Sequence, residues 1–502
     1  MGVKLIKNYK IMFVIAVLVL ICSVSFVSAN ELGNATNLEN DGLSFEESDF
    51  QVDVLNTVND DSSIDDNYTS SQEDDSKLGF SGGEEVLNVS NDDQLSDSKM
   101  GTSDELAKLI NDAKPGSTVT LDKDYNIRLG SSHAIEFTKA ITLDGRGHTI
   151  FVYAYAFKIN HPPSSAYLQI KNINFINGIN GIIKNTKAAG PFIISNCNFT
   201  KPENGNNGGA IVVSGKYESY IINCTFTNCV AFPRTKVVKL ETFSQIFSGA
   251  SSSGGAIYSS APITVKSCRF ENCTAGDGGA VYVARSQAKI IDSVFVNNRA
   301  GRGINVESFK HGGAIYVFKA ADGVLVKGCT FIGNHADRIG GAISVNSENT
   351  RIEDCIFDSN YIGTGRYNMG GAIYVTNNQE TPKTSIQITR CSFNNNGYVG
   401  NEHYCKYGGA IFFSKNINGG TISYCNFTGN KASKYGGAAY SESTCPNIKF
   451  IGCIFTKNHA NDKGGAIYFD SKNNVIDGCA FDSNSADDDG GAIYVEARYN
   501  SI

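Results

Sequence analysis

Cysteine is the residue type with the most evident chemistry in this chain, and its spacing is regular. The chain has fourteen cysteines, thirteen of them after residue 100, and nine of these begin a Cys-x-Phe motif such as that of Cys329 and Phe331. Disulfides are common in exported proteins, but in-register neighbours that project the same way fit the bond's geometry poorly. We therefore interpret the nine as small buried hydrophobic side chains. Cys405 and Cys445 lie outside the motif and are the candidate disulfide pair.

Other residues that could bind a metal or catalyse a reaction are scattered. No two histidines have the spacing of metal ligands, so the sequence predicts no zinc site. The acidic run 487–489 could attract Ca²⁺, but we interpret it as a solvated turn. No recurring acidic cluster stands beside an arginine, and the GHG and RIK motifs of polygalacturonases are missing. We assign no catalytic residue, metal ligand or cofactor. The histidines are His133, His148, His161, His311, His335, His403 and His459.

A column of aromatic residues is the strongest candidate for binding. The motif Gly-Gly-Ala-Ile-Tyr-Val recurs, and alternation along a strand places its Ile and Val inward and its Tyr outward. This predicts an exposed ladder of stacked aromatic rings. Same-face pairing of the rings could simply stabilise the sheet, or the ladder could form a flat platform for sugars or a partner protein. The position holds Tyr258, Tyr282, Tyr316, Tyr374, Phe412, Tyr440, Tyr468 and Tyr494.

Four long insertions favour the binding interpretation. They span residues 230–253, 299–311, 361–369 and 397–407, and each lies between a Phe-x-x-Asn segment and the next Gly-Gly-Ala. They are therefore expected to leave the fold at one corner beside the aromatic column, as binding loops of solenoids do. We expect these loops and the aromatic column to form the ligand face. The loop residues assigned to it are Arg234, Arg366, Tyr367 and Tyr404.

Seven Asn-x-Ser/Thr sequons could accept glycans if the protein is exported. The chain is rich in asparagine, so each match is weak evidence by itself. The sequons begin at Asn34, Asn67, Asn88, Asn198, Asn223, Asn272 and Asn426.

The elements that must position these residues come from a repeat. Gly-Gly-Ala occurs ten times between Gly208 and Gly490, most often 26 to 30 residues apart, which indicates a solenoid. Each unit has two or three short β-rich runs and no helical pattern. The sequence predicts an all-β, right-handed parallel β-helix of the pectate-lyase type over residues 101–502, strongest over 197–502. Equivalent Cys, Phe, Ile and Asn residues should stack in ladders.

The start of the folded region has its own signals. Thr102 and Glu105 form a capping box, and Leu106, Leu109 and Ile110 follow at helical spacing. The sequence therefore predicts an N-terminal helix that covers the first coil and shields its open edge from another chain.

The paired Gly-Gly-Ala-Ile and Phe-x-x-Asn motifs resemble the repeat of chlamydial polymorphic outer-membrane proteins. They resemble still more closely the β-helix adhesin-like proteins of gut methanogenic archaea, which share a signal segment, an acidic spacer and Asn/Tyr-rich repeats. The resemblance covers roughly residues 101–502 and implies a secreted or cell-surface adhesin-like protein. The chain shows neither an autotransporter barrel nor a terminal anchor, which predicts either a fragment or an unusual attachment.

The first hundred residues differ in composition from the rest. Residues 1–29 have the basic start, apolar run and small-residue cleavage site of a secretory signal peptide, with an uncleaved membrane anchor as the alternative. Residues 30–100 are predicted to be a disordered acidic spacer, since 31–100 carry nineteen acidic residues against two lysines. The remainder is only mildly basic, which gives no case for nucleic acid. Contact with a membrane is expected only through the signal segment or a missing C-terminal anchor.

Three functions follow from these expectations. The first is an adhesin-like protein that binds cell-surface glycans or proteins on host or microbial cells. The second is a passive structural fibre of the cell surface. The third is a polysaccharide lyase or glycoside hydrolase, because the same fold hosts such enzymes although fold does not carry function. Non-enzymatic binding is the interpretation that the motifs favour.

Overall fold

The computed structural model describes residues 100–502 except 129–133, 154, 164–165, 233–251, 286, 302–309, 364–367, 378–385 and 400–402. The predicted signal segment and acidic spacer lie outside the described residues. The described residues belong to one compact unit, Ser90–Ile502. No helix among them is long and apolar enough to cross a membrane.

The described part of the chain is a right-handed parallel β-helix that starts with one helix, α1 (Ser103–Asp112). The predicted capping box is present: the Thr102 hydroxyl accepts from Glu105 N, and Thr102 N donates to the Glu105 carboxylate. Leu106 and Ile110 are buried against the first coil. The helix therefore begins and packs as the sequence predicts.

Three long parallel sheets run along the β-helix. We name the Phe sheet and the aliphatic sheet after their buried residues, and the Tyr sheet after its outward residue. The Phe sheet has fourteen strands: Gly101–Thr102, Tyr125–Ile127, Thr149–Val152, Asn174–Asn177, Asn198–Thr200, Thr225–Thr227, Arg269–Glu271, Val294–Val296, Thr330–Ile332, Ile356–Asp358, Ser392–Asn394, Asn426–Thr428, Ile454–Thr456 and Ala480–Asp482. The Tyr sheet has thirteen: Ile135–Phe137, Phe157–Ile159, Ile183–Asn185, Ile211–Val213, Ile257–Ser259, Val281–Val283, Ile315–Val317, Ile343–Val345, Ile373–Val375, Ile411–Phe413, Ala439–Ser441, Ile467–Phe469 and Ile493–Val495.

The third sheet, the aliphatic sheet, also has thirteen strands: Thr118–Thr120, Thr142–Asp144, Leu168–Lys171, Phe192–Ser195, Ser219–Ile222, Ile263–Lys266, Ala288–Ile291, Leu325–Lys327, Arg351–Glu353, Ile386–Thr389, Gly420–Ser423, Ile448–Ile451 and Val475–Asp477. Short strands, here called the Ala strands, lie between the Phe sheet and the Tyr sheet: Glu203–Asn204, Val230–Ala231, Thr274–Ala275, Arg299–Ala300, His335–Ala336, Tyr361–Ile362, Lys431–Ala432, His459–Ala460 and Ser485–Ala486. A small antiparallel hairpin pairs Tyr398–Val399 with His403–Tyr404.

The repetitive coils follow one order: aliphatic sheet, Phe sheet, Ala strand, Gly-Gly turn and Tyr sheet. In the coil from Ile386 to Phe413 the small hairpin stands in place of the Ala strand. The strand pairing is in register with the sequence motif, so Ile315 pairs with Ile343 and Phe331 with Phe357. The predicted ladders are therefore present. The Phe column is the clearest case: its rings from Phe175 to Phe481 lie face to face, with centroids 4.7–5.0 Å apart. These rings and the branched aliphatic side chains fill one continuous core.

The Gly-Gly pair turns the chain into the Tyr sheet. Gly340 has φ +65°, a conformation that side chains with a Cβ rarely adopt. Its neighbour Gly341 lies against the next coil, so that a Cβ there would overlap the carbonyl oxygen of Gly371. A positive φ at the first position and close backbone approach at the second therefore both require glycine at this corner.

A column of asparagine side chains holds the corner after the Phe sheet. The Asn360 amide donates to the Asn396 side-chain oxygen and to the Phe331 carbonyl, both at 3.0 Å. Its own side-chain oxygen accepts from the backbone N and the amide of Asn334, again at 3.0 Å. The same pattern links the fully buried members of the column. Each amide therefore joins three successive coils, and the column continues from Asn298 to Asn484.

The cysteine column is buried and unpaired, as the sequence predicts. The thirteen described cysteines are free thiols, and all but Cys479 are buried. Their thiols donate to backbone carbonyls, as Cys329 does to Ile290 O at 3.5 Å. A hydrogen bond with Cys425, the largest cause, and burial raise the pKa of Cys453 to about 12. The thiolate, which is the reactive form, is therefore suppressed at neutral pH.

Thiol labelling should show this burial directly. At pH 8 the native protein is expected to react at no more than one of its thirteen described thiols, with Cys479 as the reactive one. After denaturation without reductant, all thirteen should react. Ellman's reagent measures both values. Eight or more protected thiols in the denatured chain would show that the column is oxidised and would contradict the structure.

Candidate binding surface

The aromatic column lies on the outward side of the Tyr sheet, as alternation predicts, but it is not exposed. Ring centroids of neighbours such as Phe412 and Tyr440 are 5.0 Å apart and nearly parallel. Tyr316, Tyr374 and Tyr468 are only 6–8% exposed and Phe412 only 1%. The prediction of an exposed aromatic platform is therefore wrong. Only the end members Tyr258 and Tyr494 keep intermediate exposure among the predicted ligand residues of this column.

The cover comes from a second column that the sequence analysis missed. It consists of the residue before each Gly-Gly pair, and these residues make single parallel bridges from coil to coil. We call it the corner ladder. Its side chains pack over the aromatic column. The ring centroids of Tyr407 and Tyr440 are 5.4 Å apart, and those of Tyr435 and Tyr468 are 4.7 Å apart. The corner ladder comprises the residues before the second to the tenth Gly-Gly pair: Ser253, Asp277, His311, Ile339, Met369, Tyr407, Tyr435, Lys463 and Asp489.

Burial places the tyrosine hydroxyls beside polar groups on the following turn. Tyr440 donates to Asp470 at 3.4 Å, and Tyr468 donates to Glu496 at 3.3 Å. Desolvation, the largest cause, and the nearby carboxylates raise the pKa of both tyrosines. Desolvation also raises the pKa of Tyr374 to about 12, although Ser414 and Thr376 hydrogen bonds oppose it. These three tyrosines are therefore neutral at physiological pH.

Alkaline pH should destabilise this face. Tyrosines in an unfolded chain ionise near pH 10, whereas Tyr374 in the folded chain keeps its proton until about pH 12. Full stability is therefore expected below pH 10. It should fall by about 1.4 kcal/mol per pH unit for each such tyrosine between pH 10 and 12. Thermal unfolding followed by circular dichroism from pH 9 to 12 tests this, and a melting temperature constant across that window would contradict it.

The surface that remains exposed at this corner carries tyrosine rings and lysine ammonium groups. Tyr407 and Tyr435 are half-buried, and the Lys434 ammonium lies 5.0 Å from the Tyr435 ring and 5.9 Å from the Tyr407 ring. On the next coils, the Lys463 ammonium lies 4.6 Å from the Tyr494 ring. We call these five residues the Tyr–Lys ridge. The sequence signal that could have revealed this ridge is the residue directly before Gly-Gly. That residue recurs in phase with the motif but lies outside the strand.

The long insertions leave the coil at one corner beside the aromatic column, as predicted. The described residues that flank them are the ends of Ala strands on one side and members of the corner ladder on the other, such as Ala231 with Ser253. Arg234, Arg366 and Tyr367 lie outside the described residues. Tyr404 lies in the small hairpin strand that pairs with Tyr398. The structure thus places the roots of the insertions together without testing the assigned loop side chains.

Two buried carboxylates hold the root of one insertion. Asp277 accepts from the backbone N of Lys310 and of His311, and lies 2.8 Å from the His311 ring nitrogen Nδ1. One coil further on, Asp337 accepts from Arg299 at 3.0 Å. Since Arg299 and Lys310 flank the insertion, both of its ends are tied to the coil by charge-assisted hydrogen bonds.

The candidate disulfide does not form. Cys405 and Cys445 are both free and buried, and they belong to different apolar clusters. Cys405 stacks with Ala336 and Ile362 in the column of the Ala strands, whereas Cys445 lies in the main core. Burial raises the pKa of each thiol to about 12. The two cysteines lie outside the Cys-x-Phe motif because they occupy two different buried sites, and they do not form a disulfide.

The remaining predicted sites are distributed over other faces. The described sequon residues are exposed: Asn198 and Asn426 on the Phe sheet, and Asn223 and Asn272 in the turns that flank it. Asn34, Asn67 and Asn88 lie outside the described residues. Asp489 of the acidic turn pairs with Lys463 at 3.0 Å. Across the described ranges, no group of three or more His, Cys, Asp or Glu side chains is placed to hold a metal ion.

Comparisons with known proteins match this architecture. Residues 158–312 match the family described as a right handed beta helix region. Residues 328–346, 424–442, 452–470 and 478–496 match the Chlamydia polymorphic membrane protein repeat. Each matched repeat begins at the turn before the Phe sheet and ends just after the Tyr sheet. The sequence matches no curated protein significantly.

Two solved structures are similar to this chain. One is the catalytic unit of a thermostable GH87 alpha-1,3-glucanase from Streptomyces thermodiastaticus strain HF3-3, at 13% identity and a TM-score of 0.43, over 78% of this chain and 67% of that one. The other is a PL6 alginate lyase in complex with a trisaccharide, at 10% identity and a TM-score of 0.36, over 81% of this chain and 87% of that one.

Proposed function

The chain is a right-handed parallel β-helix with Chlamydia polymorphic membrane protein-type repeats, and from this premise we propose that it is a cell-surface adhesin-like binding protein. Its ligands are glycans or proteins on the surface of other cells. The repeat type supports a location at the cell surface or in association with an outer membrane.

The observation that carries the proposal is the composition and position of the Tyr–Lys ridge. Tyrosines and lysines lie side by side over at least three coils, next to the root of the 397–407 insertion. Rings offer flat apolar area with a polar tip, and ammonium groups offer hydrogen bonds and charge. A repetitive ridge of this kind suits a long ligand with repeated hydroxyl or carboxylate groups.

A charge-matched pair of triple variants tests the ridge. Lys434→Ala/Tyr435→Ala/Lys463→Ala removes its exposed groups. The control, Lys266→Ala/Tyr424→Ala/Lys449→Ala, removes two lysines and one tyrosine that are exposed on other faces. Both are applied to the full chain and measured on a glycan array and on intact cells. We expect the ridge variant to lose binding at least about tenfold, which corresponds to about 1.4 kcal/mol, and the control to change it less than twofold.

Equal loss in both variants, or no loss in the ridge variant, would contradict the proposal. The earlier expectation that Tyr316, Tyr374 and Tyr468 are the contact residues gives no clean test, because these rings are buried. Replacing all three by serine would remove packing and lower stability.

A second candidate function, polysaccharide cleavage, rests on one specific observation. Glu442, Asp470 and Glu496 occupy the same position on three successive coils, directly after the Tyr sheet. Desolvation raises the pKa of Asp470, and Glu496 adds to the effect. A carboxyl with raised pKa beside another carboxylate is the arrangement used for glycoside hydrolysis. Incubation with acidic and neutral polysaccharides tests it: new reducing ends or 4,5-unsaturated products, lost in Asp470→Asn, would support an enzyme.

A further inference from the structure

The aromatic column has one interruption, at Ser344. In the Tyr sheet, Tyr316 pairs with Ser344 and Ser344 with Tyr374, so a serine stands where the neighbouring coils carry rings. The column is therefore short of one ring in its middle.

The Ser344 hydroxyl is buried without a hydrogen-bond partner. Its residue has 0% exposure, and its Oγ is among the few buried side-chain atoms of the described residues that lack a partner. A buried hydroxyl of this kind destabilises the folded chain, so native proteins rarely keep one without a reason. An alanine in this position would avoid the cost.

The neighbouring Tyr316 ring is turned out of line. Its plane makes 73° with that of Tyr282, whereas the other neighbouring rings of the column lie within 22° of each other. It is instead parallel to the His311 ring at 5.0 Å, and Asp277 holds His311. The Asn346 side chain, two residues beyond Ser344, hydrogen-bonds the Tyr316 hydroxyl. The Tyr316 hydroxyl thus bonds a side chain of the coil that carries Ser344.

The size of the gap is set by the spacing of the column. Neighbouring rings are 5.0–5.6 Å apart, so an in-line Tyr316 would leave about 10 Å to Tyr374, two steps of the ladder. A six-membered ring stacked between the two faces fits this space, and the hydroxyls of a pyranose can also bond Ser344 and Asn346.

We propose that Ser344 marks a binding slot for a single pyranose ring, which opens when Tyr316 turns back in line with Tyr282. The sugar lies between the faces of Tyr316 and Tyr374, and the Ser344 hydroxyl donates to or accepts from one of its hydroxyls. This assignment rests on the proposed function in taking glycans as the ligand class, and it adds a site separate from the Tyr–Lys ridge.

Three variants of the full chain separate the slot from its surroundings. Ser344→Tyr fills the gap and completes the column. Ser344→Ala keeps the space and removes the hydroxyl. Phe412→Tyr alters the column elsewhere and serves as the control. The probes are methyl glucopyranoside, methyl galactopyranoside and methyl mannopyranoside, with phenol as the flat aromatic ring, and saturation-transfer NMR titration gives the affinities.

We expect saturable binding of at least one methyl pyranoside to the native chain and to Phe412→Tyr. Affinity should fall about fivefold in Ser344→Ala and at least tenfold in Ser344→Tyr. The Lys434→Ala/Tyr435→Ala/Lys463→Ala variant should bind the pyranosides normally while losing glycan-array binding. Unchanged pyranoside binding by Ser344→Tyr, or preference for phenol, would overturn the slot and leave the ridge standing. Pyranoside binding that Ser344→Tyr abolishes, in a chain without array or cell binding, would support the slot and contradict the proposed function.

Discussion

Replacing Gly341 by alanine is expected to prevent the coil from closing and to cost more than about 4 kcal/mol of stability. A Cβ there would overlap the Gly371 carbonyl oxygen and lie 2.6 Å from the Tyr361 carbonyl oxygen. Both obstacles are backbone atoms of neighbouring segments, so no side-chain rotation relieves them. The stacked glycines on either side prevent a local shift, because each second glycine abuts the next in the same way. We expect loss of soluble protein, or a large fall in melting temperature by circular dichroism.

Gly323→Ala is the matched control for this prediction. Gly323 also has a positive φ, +66°, but a Cβ there would meet nothing within 4 Å. Its expected cost is therefore the backbone strain alone, about 1 kcal/mol. If Gly341→Ala melted within a few degrees of Gly323→Ala, the Gly-Gly ladder would not be the tight contact described.

The second large effect is expected at Asn360. Its replacement by alanine removes four hydrogen bonds and leaves the buried backbone N of Asn334 and the Phe331 carbonyl without this partner. Buried groups that lose a partner cost about 1–3 kcal/mol each. The total should be about 3–5 kcal/mol, measured as a lower denaturant midpoint. The unfolding curve should also broaden, because a solenoid broken in the middle can unfold in parts.

Asn426→Ala provides the comparison, since Asn426 lies on the exposed side of the Phe sheet. Its loss should cost less than about 1 kcal/mol. Asn360→Asp is a second informative variant. It keeps the shape but removes the two donors and introduces a carboxyl, so it should be at least as harmful as alanine. A chain with Asn360→Asp that is as stable as the native protein would show that the column does not depend on these bonds.

The sequence predicted the interior of this fold because the interior follows strand alternation. Phe357, Ile343 and Val345 point inward where counting by two places them. The Asn and Cys columns follow from the same in-phase recurrence. The helix start at Thr102 was predictable because the capping box is a local signal. These features depend on neighbours along the chain or on the same motif one coil away.

Exposure of the aromatic column could not be predicted in the same way. Tyr468 does point outward, but its cover includes Tyr435, from the preceding coil and on the far side of a Gly-Gly turn. The positive φ of that turn interrupts the alternation of side chains. Counting residues along the strand therefore does not predict where the residue before the turn points. The disulfide prediction for Cys405 and Cys445 failed for a related reason, because the motif gives neither residue a position and the two lie in different apolar clusters.

The uniform cross-section of the coil has a consequence for how its length can change. Cys425, Cys453 and Cys479 sit at equivalent points of successive turns, and the residues around them pair in the same register. Deleting residues 453–478 would bring Cys479 to the place of Cys453 and give the interrupted core a matching partner. Duplication within the gene could add a turn just as simply. The β-helix can therefore be lengthened or shortened in steps of one coil.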